Sequence, residues 1–202
     1  NSPHHSNCAS RIGAHRGLGR LTDESDPPGS AHSPPEKLMR LKDKIAIVTG
    51  AGAAIVMDLW AIVRRRAFDT PLPNYGLVGR WVAHLARGRL HHASIAASPA
   101  VQGERIIGWI AHYVIGVAFA GLLLAGWGLQ WVRQPTIGPA LLVGIGTVAA
   151  PFLLMQPGMG AGIAASRTPR PAAARLQSLI THTIFGLGLY AAGWVARLHY
   201  VS

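Results

Sequence analysis

The sequence predicts an all-α protein, a polytopic membrane helix bundle of four transmembrane helices plus an interfacial helix, and three observations predict it. Half of the 202 residues are hydrophobic and only 13% are charged, which fits a membrane class better than a soluble domain. The apolar residues gather into four runs near the length that crosses a bilayer. The 19 basic residues outnumber the 8 acidic ones and lie between those runs. That excess belongs to loops at a bilayer surface, so no nucleic-acid partner is expected. The lone cysteine, Cys8, cannot close an internal disulfide, and CxxC ligand pairs are absent. No cofactor and no metal are expected.

Residues 1–44 are rich in Ser, Pro, Gly, His and charge, and are expected to be a disordered tail. The chain opens on Asn1, and Met39 is a candidate natural start, so this tail is treated as not necessarily native. The first transmembrane helix is expected over 45–63, where only Thr49 and Asp58 interrupt the apolar run. Asp58 within it and Arg64, Arg65 and Arg66 behind it argue for a retained helix rather than a cleaved signal peptide. Over 74–90, Tyr75, Val78, Trp81, Val82 and Leu85 share one helical face, while Arg80, His84 and Arg87 share the opposite one. This pattern predicts an interfacial helix whose basic side meets anionic head groups, with a surface helix docked on the bundle as the alternative. His91 and His92, beyond it, are expected to be solvated. The remaining transmembrane helices are expected over 106–132, 139–155 and 178–198.

Four crossings put loops 64–105 and 156–177 on one side. Arg64, Arg65, Arg66, Arg80, Arg87, Arg89 and Arg105 lie in the first loop and Arg167, Arg170 and Arg175 in the third, against Arg133 alone in the second. The positive-inside rule therefore places loops 64–105 and 156–177 in the cytoplasm. Lys37, Arg40, Lys42 and Lys44 on the outer flank of the first helix run against that orientation.

Asp58, His112, Tyr113, Gln156 and His182 all approach the same face and form the candidate polar pocket. At about 1.5 Å per residue, Asp58 and His112 lie roughly 9 Å, and His182 roughly 6 Å, below that surface. Ionisable groups at such depth are costly and mark either function or a satisfied pairing. The bland alternatives are Asp58 reaching toward Arg65 on the same helical face and the histidines serving as interhelical glue. A weak repeat runs through the set: His112 precedes Gly116 by one turn as His182 precedes Gly186, and Ala-Gly-Trp recurs at 125–127 and 192–194. It suggests two hairpins in parallel pseudo-repeat.

The third loop reads Gln156-Pro157-Gly158-Met159-Gly160-Ala161-Gly162 and continues to Arg167 and Arg170. Its glycines could converge backbone N–H groups on an anion, so Gly158, Gly160, Arg167 and Arg170, with Arg80 and Arg87, form a candidate lipid head-group site. It is not a Walker loop, because the Gly-Lys-Ser/Thr ending is missing.

Two resemblances bear on identity. Residues 39–52, ending Ile-Val-Thr-Gly-Ala-Gly, resemble the opening strand and turn of a short-chain dehydrogenase. The later glycines of that fingerprint are replaced by Ala54 and Val56, no Tyr-x-x-x-Lys pair exists and no lysine follows Lys44, so no nucleotide site is assigned. Met57-Asp58-Leu59-Trp60, Asn74-Tyr75, Val78-Gly79-Arg80-Trp81, Gly108-Trp109-Ile110-Ala111-His112-Tyr113, Gln156-Pro157-Gly158-Met159-Gly160 and Phe185-Gly186-Leu187-Gly188-Leu189-Tyr190 are similar to an uncharacterised bacterial membrane family, domain of unknown function DUF2938. The resemblance implies a four-helix inner-membrane protein and supplies no activity.

Three functional classes remain open: a small transport or ligand-binding bundle with a cytoplasmic-side polar pocket, a membrane enzyme acting on a lipid-like substrate, and a structural or assembly protein. The first is preferred for the shared depth of Asp58, His112 and His182, and the second lacks a recognisable nucleophile. The expected partners are the bilayer and its anionic head groups, with a homo-oligomer left open.

Overall fold

The computed structural model describes residues 34–200, and every regular element there is helical. The elements are α1 (Pro34–Phe68), α2 (Tyr75–Leu85), α3 (Glu104–Arg133), α4 (Ile137–Gly158) and α5 (Pro171–Tyr200). Helices α1, α3, α4 and α5 are each long and apolar enough to cross a membrane. The chain is a multi-pass membrane protein.

Element bounds differ from the sequence expectation in ways that local chemistry explains. Residues 34–44, expected in the disordered tail, form the opening turns of α1. Prolines at 34 and 35 suit a first turn whose amides have no acceptor, and Arg40 donates to Glu36 one turn back at 3.0 Å. Residues 39–52 are thus helix rather than the strand their dehydrogenase resemblance would require, and residues 1–33 of the expected tail lie outside the described residues. Helix α4 widens into a π-turn over Pro151–Met155, where the proline cannot donate to the ladder. Helix α3 breaks at Gly128, whose φ of 65° only glycine adopts freely. Helix α2 ends at Leu85, short of residue 90, as the chain turns through Gly88 at φ 80°.

The bundle is apolar on its outside. Ala53, Ala54 and Ala120 are fully buried between helices, whereas Leu122 and Leu142 are about 60% exposed (58% and 63%). Small residues inside and large apolar residues outside suit helices whose exterior solvent is lipid. Helix α1 packs against α3 and α5, α4 packs against α5, and α2 lies across α3. Glycines set these approaches: a methyl group at Gly50 would overlap the Val117 backbone, and one at Gly144 the Gly186 backbone. Gly52 meets Ala192, while Ala53 and Val56 meet Gly188, so α1 and α5 run antiparallel.

Candidate functional site

The crossing of α2 on α3 builds the site. A methyl group at Gly79 would overlap the Glu104 carbonyl, and one at Gly108 the Tyr75 carbonyl, so two glycines let the backbones touch. Arg80 pins the same crossing: its Nε and Nη2 donate to the two Glu104 carboxylate oxygens, both at 2.8 Å. Its Nη1 reaches the carbonyls of Ala96 and Ser98 at 3.2 and 3.0 Å. The Glu104 hydrogen bonds hold the Arg80 pKa above its ordinary value.

With α2 seated this way, the Tyr75 side chain reaches α1 and α3 together. Its hydroxyl donates to Asp58 Oδ1 at 2.8 Å, and Tyr113 donates to Asp58 Oδ2 at 3.0 Å. His112 Nε2 lies 3.3 Å from both Asp58 Oδ1 and the Tyr75 hydroxyl. Because the single Tyr75 proton is given to Asp58, the Tyr75 oxygen can only accept from His112, which places a proton on Nε2. One carboxylate thus receives donors from α2 and α3, the arrangement that makes a partly buried charge tolerable. Burial first, and then the adjacent Asp58 carboxylate, push the Tyr75 hydroxyl well above the ordinary tyrosine range.

The Tyr75 ring lies 4.4 Å from that of Trp109, and both line a cleft of about 400 Å³ with Leu72, Pro73, Asn74, Gly76 and Arg105. Tyr75 therefore separates the cleft from the Asp58 and His112 pair. The group offers one continuous set of exchangeable protons, from His112 through Tyr75 to Asp58 and Tyr113.

Of the residues expected in a polar pocket, Asp58, His112 and Tyr113 meet, and His182 and Gln156 do not join them. His182 faces α4, its Nδ1 3.0 Å from the Thr147 hydroxyl and 3.3 Å from the Gly144 carbonyl. Gln156 Oε1 is buried without a partner. Asp58 does not turn to Arg65, which lies instead 3.7 Å from Asp69 on the surface. The two histidines act alike within their hairpins: each bonds the transmembrane helix before it, and Gly116 and Gly186, one turn on, pack on that same helix.

Of the residues expected to hold an anion, Arg80, Gly158 and Gly160 make other contacts. Arg80 is committed to Glu104, and Gly158 packs beneath the Trp81 indole and the Leu90 carbonyl. Gly160, at φ 94°, lies against the His92 and Ala93 carbonyls, and its N–H is spent on Pro157. Arg87, Arg167 and Arg170 are exposed, Arg170 beside a cavity of about 450 Å³ with Thr168 and Gln177. His92, expected to be solvated, is only 8% exposed. Its Nδ1 lies 3.2 Å from the Gly158 carbonyl and its Nε2 2.8 Å from His84 Nδ1, because the first loop folds onto the third. Among the described residues no group of three or more His, Cys, Asp or Glu could hold a metal ion.

The sequence did not single out Tyr75, Trp109 or the His84 and His92 contact as site residues. Tyr75 stood out only by its place on the apolar face of an amphipathic segment, which reads equally well as lipid contact, and, like Trp109, by lying in a motif of the family resemblance, which assigns no role. In comparison with known proteins, residues 47–196 match a family described as a protein of unknown function, DUF2938. No curated protein and no solved structure matches the chain.

Proposed function

The chain belongs to the DUF2938 family, and from that premise we propose that it is a small ligand-binding or transport bundle of the bacterial inner membrane. The observation that carries this reading is the Asp58 carboxylate, held by Tyr75, Tyr113 and His112 directly behind a polar cleft. Asn74, Arg105 and the Tyr75 and Trp109 rings suit a small polar solute, with the Asp58 and His112 pair behind Tyr75 as the polar floor. Loops 64–105 and 156–177 face the cytoplasm in this reading. Anionic head groups lie against the exposed arginines of those loops, with α2 near the membrane surface. Native mass spectrometry on detergent-purified protein tests the reading, with the parent chain set against an Asp58→Asn, His112→Ala double variant. A small molecule retained by the parent and lost from the variant is the expected result. A parent that carries nothing, beside a variant of equal stability, would remove the proposal.

A further inference from the structure

At the same end of the bundle a second polar group has no counter-ion among the described residues. Arg64 closes the apolar run of α1, yet its side chain turns inward and is only 8% exposed. Its Nε and Nη1 are buried without a hydrogen-bond partner, and so is the indole Nε1 of Trp60, one turn earlier on the same helix. All three are donors only, and a guanidinium cannot shed its charge to escape burial. The described carboxylates near this end are engaged elsewhere: Asp58 with Tyr75 and Tyr113, Glu104 with Arg80, and Asp69 with Arg65. A buried cation without an anion is among the costliest arrangements a fold can hold. Among the described residues no carboxylate supplies that anion.

Position selects the anion. Ile62 and Val63, immediately before Arg64, are exposed on the lipid-facing side at 43% and 50%, so Arg64 stands where hydrocarbon gives way to head groups. Phosphate is the anion concentrated at that depth. Exposed Arg65 and Arg66 beside it raise the local positive potential. The antiparallel register of α1 on α5, in which Ala53 meets Gly188, carries Arg64 to the level of Gln177 and Ser178, at the polar start of α5.

We propose that Arg64, with the Trp60 indole N–H, binds a phosphate-bearing anion between the ends of the transmembrane helices, at a site separate from the Asp58 cluster. Because the guanidinium is buried, ionic strength screens this pair far less than it screens contacts of Arg65 or Arg66.

Full-length protein purified in a phosphate-free maltoside detergent gives the test. Its thermal unfolding is followed as inorganic phosphate replaces chloride at constant ionic strength, and native mass spectra are recorded after adding phosphatidylglycerol. Stabilisation by inorganic phosphate identifies a free anion, and retained phosphatidylglycerol without a phosphate effect identifies a lipid head group; either supports the site. Arg64→Gln should weaken the responding ligand about tenfold or more, as loss of charge-assisted hydrogen bonds predicts. Arg64→Lys should keep part of the affinity, and Trp60→Phe, which keeps an aromatic side chain but loses the five-membered ring with its N–H, should lose a few-fold. No response of the parent to either probe overturns the proposal, as does an Arg64→Gln variant that binds like the parent. Should Arg64→Gln fail to fold, unchanged binding by Trp60→Phe overturns it alone. The Asp58→Asn, His112→Ala variant should bind the anion like the parent, which separates failure here from failure of the cleft reading.

Discussion

Tyr75 and Asp58 lie 17 residues apart, on different helices, and the tyrosine hydroxyl donates to the carboxylate at 2.8 Å. This bond ties α2 to α1 although the two helices share little other contact. Tyr75→Phe keeps the ring against Trp109 and removes only the hydroxyl, which donates to Asp58 and accepts from His112. It should destabilise the protein by about 1.5–3 kcal/mol, the range for a hydrogen bond to a charged group. Thermal unfolding of the parent, Tyr75→Phe, Asp58→Asn and the double variant measures it. The two substitutions should be non-additive, and strict additivity would refute the coupling.

The glycine crossing that seats Tyr75 makes a separate prediction. Gly108→Ala drives a methyl group into the Tyr75 carbonyl, so the helices must part, at a cost of roughly 1–3 kcal/mol for an overpacked contact. Gly121→Ala, in the same helix with nothing within 4 Å, should be neutral or stabilising by up to about 1 kcal/mol. Equal midpoints for these two variants would mean that the crossing is not close-packed.

The limits of sequence inference here follow from what a hydropathy pattern contains. Depth along a helix is legible, because residue count times rise locates Asp58, His112 and His182 below one surface. Direction around the helix is not, because it depends on which neighbour the helix meets. Gly188, six residues beyond His182 and about 120° around α5, faces α1, whereas Gly186, one turn beyond it, faces α4. His182 therefore lies at a similar depth to Asp58 but on another interface. The four spans were legible since lipid demands length and apolarity of each. The Tyr75 contact was not, since it depends on Gly79 and Gly108 meeting across a loop, and neither glycine announces its partner.

Arg80 should control the order of the first loop. It joins Glu104 to the carbonyls of Ile95, Ala96 and Ser98, so Arg80→Gln releases three loop residues and leaves Glu104 without its cation. Limited proteolysis in maltoside should cleave between residues 86 and 103 several-fold faster in this variant, while Arg87→Gln, at an exposed position, should cleave like the parent. Equal rates for Arg80→Gln and the parent would remove Arg80 as the anchor.

His92 should hold the first loop to the third. Its ring contacts His84 and the Gly158 carbonyl, and the amides of His92 and Ile95 donate to Gly158 and Met159. His92→Ala should therefore raise hydrogen exchange at those two amides well above that in the transmembrane helices, which should be unaffected. Exchange unchanged at Ile95 would show that the backbone bonds alone hold the loop.

Alkaline pH separates the Tyr75 hydroxyl from its surroundings. In the folded protein its pKa lies well above the ordinary 10.0, because burial and then the neighbouring Asp58 charge disfavour the phenolate. Below about pH 10 both folded and unfolded chains keep the proton, and the contribution to stability is fully present. Above it the unfolded chain releases the proton and the folded chain retains it, so stability falls as pH rises toward the folded value. The added slope approaches about 1.4 kcal/mol per pH unit for one proton. Unfolding midpoints between about pH 9 and 11.5 should therefore fall more steeply for the parent than for Tyr75→Phe. Parallel slopes would mean that the Tyr75 hydroxyl ionises as readily in the bundle as in the unfolded chain, and the geometry that closes the cleft over Asp58 would then be wrong.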